Sequence, residues 1–440
     1  MKILNIDEAR RSILNRDVQV ENTSPGLLAS VKDMFGAEAT PTSVVAEVLR
    51  TIKLEGDEAL KHWSEKLDGA SWTGTAVPKE ALEQAFQNLD KELKQAIELA
   101  IRRVRTFHEK QIIPGWRTDE MGGTLGQRFT PIERVGIYVP GGSAPLPSSL
   151  IMSAIPAQVA GVDQIIICTP PEPDESILAI AWMLDLTELY ALGGAQAIGA
   201  MAYGSASLAR VDKIVGAGNL FVTLAKQQVF GVVGLDGLAG PTETLIIADD
   251  SANPAWVAAD LLAQAEHDRL ASAILLTPHA EIAEAVQREV QNQLIGLSRR
   301  DIIEQALRNR SGIVITPDLE VAMELANRYA PEHLCLSVEQ PDQWLGAIRN
   351  AGGIFVGERS FEVLGDYVAG PSHVMPTGGS ARYASPLNVL DFVKLTSMVS
   401  LDDEACAELV PPAAALADIE TLTAHAASAR MRSSGGASDD

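Results

Sequence analysis

The chain has 440 residues, with 58 acidic against 35 basic side chains and a formal net charge of −23. That length implies two or more domains, and so acidic a surface repels phosphate backbones and anionic lipid, which excludes nucleic acid and membrane as main partners. No apolar run approaches a membrane span, the opening MKILNIDEARRSILNRD lacks a signal-peptide core, and the three cysteines, Cys168, Cys335 and Cys406, are too scattered for a disulfide framework or a thiolate zinc site, so a cytoplasmic location is expected.

In chain order, residues 1–112 are polar segments bearing alanine and leucine at helical spacing, as over 44–54 and 79–107, and they read as mainly helical. The pattern changes at residue 135. Short apolar runs then recur: VGIYV, QIIICT, ELYAL, DKIVGAG, TLIIAD, SAILLT, GIVIT, HLCLSV and GGIFVG, separated by helical stretches such as 253–267 and 280–294. Continuous apolar strands alternating with helices indicate parallel sheets covered on both faces. Nine such runs exceed one small sheet, so two α/β units are expected. After Pro386 the pattern reads as helical again, and 433–440 as a disordered polar tail.

The helix expected from residue 253 has Asn253 as its cap and Pro254 as its first residue. Val257, Leu261 and Gln264 share one face, and His267 follows Gln264 by three, so an amide and an imidazole continue the apolar stripe. An isolated Q-x-x-H reads more readily as a polar helix end; with a carboxylate and a further imidazole from elsewhere it is half of a metal site. In YAPEHL, Glu332 and His333 stand side by side where an apolar strand starts, either a solvated strand entry or a pair that divides acid and base duties. Cys335 shares a strand face with His333 and reads as a core residue, since nothing nearby would lower its pKa. The glycine- and proline-rich stretch 365–394 is long for an inert connection and suits a site-lining loop, with Asp366 as a candidate hard ligand. On the last predicted helix, Glu420 and His425 are five residues apart, so they can flank a ligand but not share one direction. Finally, VPGGSAPLPSS, GGAQAIGAMAYG and GAGNLF each follow an apolar run, where open α/β sheets bind ligands. None is the G-x-G-x-x-G fingerprint, so the pattern alone leaves nucleotide binding open.

Taken in order, RVGIYVPGGSAPLPSS, GGAQAIGAMAYG, DKIVGAGN, AGPTETLIIAD, DLLAQAEHD, YAPEHL, HVMPT with SPLNVLDFVK, and LTAHA resemble the histidinol dehydrogenase family over nearly the whole chain. The resemblance implies an α/β fold of two incomplete Rossmann-like units with parallel sheets, one inserted in the other, plus helical N- and C-terminal segments. The expected divisions are 1–25 as an N-terminal helical segment; 26–133 with 244–387 as a first Rossmann-like domain carrying metal and catalytic residues; 134–243 as the inserted cofactor domain; 388–432 as a C-terminal helical segment swapped between subunits; and 433–440 as the tail.

The same resemblance implies one zinc ion per subunit on Gln264, His267, Asp366 and His425, and an acid–base pair in Glu332 and His333. Substrate contacts fall on those four ligands and on Thr242, His333 and Glu420, and contacts to NAD on Tyr138, Gln196 and Asn219. It implies a homodimer in which Glu420 and His425 complete the neighbour's site. The implied activity is the four-electron oxidation of L-histidinol to L-histidine through L-histidinal with two NAD, the last steps of histidine biosynthesis. The alternative is a paralogous NAD-dependent dehydrogenase of another small polyfunctional alcohol on this scaffold, with Thr242 and Glu420 as the discriminating positions. Departures from the family pattern are Ala217 for the usual proline, Thr242 for serine, Arg269 for a small residue and Ser372 for asparagine. None removes a group the chemistry needs.

Overall fold

The computed structural model describes residues 1–16, 25–112, 114–141 and 145–433; the 434–440 tail, the end of the expected 1–25 segment and part of VPGGSAPLPSS lie outside the described residues. The chain divides into two compact units, Met1–Gln111 with Ile132–Phe392, and Ile112–Pro131 with Val393–Asp440.

The strands in chain order are β1 (Ile3–Leu4), β2 (Trp116–Thr118), β3 (Thr124–Pro131), β4 (Arg134–Tyr138), β5 (Gln164–Thr169), β6 (Leu189–Ala191), β7 (Lys213–Val215), β8 (Gly234–Leu235), β9 (Glu243–Ala248), β10 (Ser272–Thr277), β11 (Gly312–Ile315), β12 (His333–Ser337), β13 (Gly353–Val356) and β14 (Val393–Ser400). The larger unit holds two parallel sheets, ordered β1-β11-β10-β9-β12-β13 and β6-β5-β4-β7-β8. All nine apolar runs are strands of these sheets, and the second sheet is built wholly from chain lying between β1 and β9. No helix among the described residues is long and apolar enough to cross a membrane.

The period-two alternation of each strand feeds two cores. In β5, Ile165 and Ile167 enter one apolar cluster and Ile166 and Cys168 the other; in β12, Leu334 and Leu336 face one cluster and Cys335 the other. That is why the inner strands are apolar throughout: both of their faces are covered, whereas the edge strand β13 stays partly exposed.

The smaller unit differs from the sequence expectation. Its β14-β3-β2 sheet is antiparallel, with β14 paired to β3 from Val393↔Pro131 to Ser400↔Thr124. The stretch after Pro386 is therefore not helical throughout. Most of β14 is exposed, so it lacks the apolar signature of the other strands. Two helices follow, Asp403–Ile419 and Thr423–Ser433. Glu420 caps the first and His425 lies on the second; a left-handed Thr421 (φ 61°) breaks the single helix expected to carry both.

One turn of the second sheet is held by a buried ion pair. Lys226 Nζ donates to Asp236 Oδ1 at 2.5 Å and to the Gly216 carbonyl at 2.8 Å, and Asp236 Oδ2 accepts the Gly216 amide at 2.7 Å. Lys226 is 2% exposed. Replacing Lys226 by Met should destabilise the protein by about 3 kcal/mol, because it strands a buried carboxylate. The Lys226→Met, Asp236→Leu double variant should recover part of that loss in urea unfolding.

Candidate active site

Four segments of the larger unit converge at the entry ends of β9 and β12. The two strands pair in parallel with His333 opposite Thr244, which brings Thr242 and Glu243 beside Glu332 and His333. Thr242 Oγ1 donates to Glu332 Oε2 at 2.6 Å, and the Glu243 amide donates to the same oxygen at 2.9 Å. His333 Nδ1 lies 3.2 Å from the Glu243 carbonyl, which fixes Nδ1 as the protonated nitrogen. Nε2 then carries the lone pair; it is buried, has no hydrogen-bond partner and faces Asp366 Oδ1 at 3.9 Å.

The helix Pro254–Ala265 supplies the next group. Asn253 caps it through the Ala255 amide and Pro254 opens it, as its sequence requires. Gln264, in its last turn, is fully buried, and its Nε2 donates to Thr242 Oγ1 at 2.8 Å. That bond leaves Oε1 buried with no partner. The helix ends at Ala265, so His267 stands two residues beyond it on a bend, not on the helix, its amide turned back to the Gln264 carbonyl at 3.3 Å. No glycine or proline marks this end in AQAEHD, which is why the sequence overran it. His267 is exposed by area, yet the protein crowded around its ring lowers its pKa, with Asp366 opposing; a neutral ring is the ligand form. Asp366 belongs to the short helix Glu362–Tyr367 rather than to a loop.

Glu332 is 6% exposed, and burial pushes its carboxyl up to about 7, against His333 and the Thr242 and Glu243 donors. Cys335, 4% exposed in the core, has its thiol raised first by burial and then by Glu362, Asp260 and Asp366, so a thiolate there is disfavoured. Among the described residues no three His, Cys, Asp or Glu side chains are grouped as a metal cage. The larger unit contributes Gln264, His267 and Asp366, while Glu420 and His425 belong to the smaller unit and are exposed. The orphaned Gln264 oxygen, on a side chain tied through Thr242 to Glu332, fits a divalent ion with nitrogen and oxygen ligands.

The three positions expected to touch a dinucleotide sit at the carboxyl ends of the second sheet. Tyr138 ends β4, and its hydroxyl accepts the Gly194 amide at 3.1 Å; burial raises it to about 12. Gln196 lies in the first turn of the helix Gly194–Tyr203, donates to Asp68 Oδ2 at 2.7 Å and keeps a buried, unpartnered Oε1. Asn219 caps the helix Leu220–Val229 through the Phe221 and Val222 amides. Before it, Gly216 has φ 105°, and a Cβ there would collide with the Tyr138 carbonyl. A cavity of about 250 Å³ lies beside Gln196 and Asn219, walled by apolar side chains such as Val31, Phe35 and Val48 with Asp68 at its polar end.

Several further groups, not singled out by the sequence, join this cleft. Glu362, 2% exposed, accepts the Thr244 hydroxyl and lies 3.8 Å from His333 Nδ1. His373 Nδ1 donates to the Asp366 carbonyl at 2.7 Å. Glu362 and Asp366 are four apart, a helical spacing visible in SFEVLGDY; Arg16 and Asp68 carry no comparable signal.

Because the folded-state pKa of Glu332 lies near 7, above its ordinary 4.5, the folded chain binds that proton more tightly than the unfolded one. The stability it contributes is present below pH 4.5 and is lost as pH rises through 7, about 3 kcal/mol in all. Glu332→Gln cannot ionise, so in the metal-free protein its unfolding midpoint should gain on the wild type between pH 5 and 8; a constant difference across that range would contradict the buried acid.

A sequence model of histidinol dehydrogenase matches residues 36–433. The histidinol dehydrogenase of Thermus thermophilus is 49% identical over 395 residues, 90% of this chain and 95% of that one. That of Deinococcus radiodurans is 47% identical over 438 residues, 98% of this chain and all of that one. The crystal structure of histidinol dehydrogenase from Elizabethkingia anophelis matches with a TM-score of 0.86 at 36% identity, covering 93% of this chain and 96% of that one. With its two parallel sheets and the site at the entry of β9 and β12, the chain belongs to the histidinol dehydrogenase family of oxidoreductases.

Proposed function

We propose that the protein oxidises L-histidinol to L-histidine through L-histidinal with two NAD, at a zinc-containing site built on Glu332 and His333, in the last steps of histidine biosynthesis. The observation that carries the reading is the polarised His333, with Nδ1 tied to the Glu243 carbonyl and Nε2 buried and free. An imidazole so held is a base toward whatever enters beside Asp366, and its Nε2 takes the alcohol proton. Glu332, whose carboxyl burial raises to about 7, can exchange a proton near neutral pH and in its ionised form accepts one from the water that adds to the aldehyde. The hydrated aldehyde then gives up a second hydride to become the carboxylate. Two hydride acceptors are needed, which the nicotinamide cofactor supplies.

Gln264, His267, Asp366 and His425 would hold the zinc, which when bound acts as a template and Lewis acid for the amino alcohol's two nitrogens. Thr242, held between Gln264 and Glu332, lines the same cleft, and Glu420 offers a carboxylate to the substrate ammonium. Tyr138, Gln196 and Asn219 receive the dinucleotide at the sheet inserted between β1 and β9, so catalysis falls to 26–133 with 244–387 and cofactor binding to 134–243. The assembly would be a homodimer in which Glu420 and His425 complete the neighbour's site.

Purified protein given histidinol, NAD and zinc should form two NADH per histidine; absence of NADH overturns the reading. His333→Asn should suppress NADH formation with zinc content unchanged, and zinc loss in that variant would refute the base assignment. Mixing an inactive Gln264→Ala chain with an inactive His425→Ala chain should restore one active site per dimer if sites are shared, and none if each chain closes its own.

A further inference from the structure

Arg16 lies outside the family-matched span of residues 36–433, yet it reaches the floor of the candidate site. It forms a two-pronged ion pair with Glu243, Nη1 to Oε1 and Nη2 to Oε2, the latter at 2.9 Å. Its Nε donates to the Tyr329 carbonyl at 3.0 Å, and Nη2 donates to the Tyr329 carbonyl at 2.7 Å and to the Ala330 carbonyl at 3.2 Å. The guanidinium also stacks 3.6 Å over the Tyr329 ring. The pair is nearly dry, with side chains 17% and 6% exposed.

The position of this fork matters. Tyr329 and Ala330 are followed after Pro331 by Glu332 and His333, and Ala330 is held in a left-handed turn (φ 53°) at the end of the helix Leu319–Tyr329. Glu243 is the residue whose amide holds Glu332 and whose carbonyl holds His333. One side chain therefore grips both strand entries whose mutual placement sets the acid–base pair. The fork needs Arg: a planar guanidinium can meet a carboxylate edge-on and two carbonyls at once, whereas an ammonium is a point charge without that geometry. Gly378 adds a further tie by donating its amide to Glu243 Oε1 at 3.2 Å.

We infer that Arg16 is a positioning residue: its brace between Glu243 and the 329–330 carbonyls sets the placement of Glu332 and His333. The inference rests on the reading of Glu332 and His333 as the acid–base pair. Misplacing reacting groups by about 1 Å can cost roughly a hundredfold in rate.

The test uses the full-length, zinc-loaded protein with histidinol and NAD. Arg16→Gln should lower kcat about tenfold to a hundredfold while KM for histidinol stays within about twofold. His333 is the one expected substrate contact on the 329–333 segment, and Arg16 itself bonds to Glu243, Tyr329 and Ala330, none of them such a contact. Zinc content should be unchanged. Arg16→Lys should restore only part of kcat. Glu243→Gln should lower kcat similarly, and the double variant should lose little more than the worse single, because both remove one brace. Independently of activity, hydrogen exchange of the metal-free Arg16→Gln protein should speed up selectively at the Glu243 amide and over 329–333. Wild-type kcat in Arg16→Gln would overturn the inference. So would a loss of kcat accompanied by a uniform loss of protection across the chain, the signature of a merely structural arginine. If the wild type makes no NADH from histidinol, the functional reading fails, while the exchange measurement still decides whether the brace exists.

Discussion

The parallel register between β9 and β12 is the constraint on which the candidate site depends. With His333 opposite Thr244, the two strands start together, and the residues just before and at their starts are left to satisfy one another. The first amide of β9 has no ladder partner to use, and it donates to the Glu332 carboxyl; the carbonyl of the same residue takes the His333 ring. A slip of one residue would turn His333 to the other face and break both bonds together. Four buried apolar positions in β9 and three in β12 hold that register by packing into cores on either side.

The placement also explains which elements supply which groups. Dinucleotide-site candidates Tyr138, Gln196 and Asn219 lie at the carboxyl ends of their strands, the usual ligand edge of an open α/β sheet. Glu332, His333 and Thr242 lie instead at the entry edge of the other sheet. A helix that follows a strand runs back to that edge, so Pro254–Ala265 delivers Gln264 from its C-terminal turn. The carbonyls at a helix C-terminus carry partial negative charge, which favours a cation beside Gln264 and His267.

What the sequence revealed follows from how strongly each feature was constrained. Eight buried strands were legible because coverage on both faces demands uninterrupted apolar residues, the edge strand β13 was legible from its apolar run alone, and the start of Pro254–Ala265 was legible because Asn253 and Pro254 are specific caps. Strand β14 was not, since exposure leaves its VKLTSMVS pattern free to be polar. The helical periodicity runs on to His267, two residues past the point where the helix hydrogen bonding stops. The residue types of the site could be singled out one at a time, but their convergence is a product of register. Arg16 shows the limit: 227 residues separate it from Glu243, and ILNR contains nothing that announces a brace.

The electrostatics of the cleft turn this geometry toward a particular kind of guest. Glu332, Glu362 and Asp366 lie 3.8, 3.8 and 3.9 Å from one imidazole, and among the described residues none of the three is paired with a lysine or arginine. The shortage of positive charge shows in the raised pKa of both Glu332 and Glu362, where burial comes first and carboxylate neighbours add to it. A cation entering beside Asp366 would supply what the protein withholds, and by linkage its binding would draw those protons off. The site is thus better matched to a positively charged ligand than to a neutral or anionic one. Glu332 would shift toward its ionised form when a cationic guest arrives, so its capacity to activate water would be tied to occupancy of the cleft.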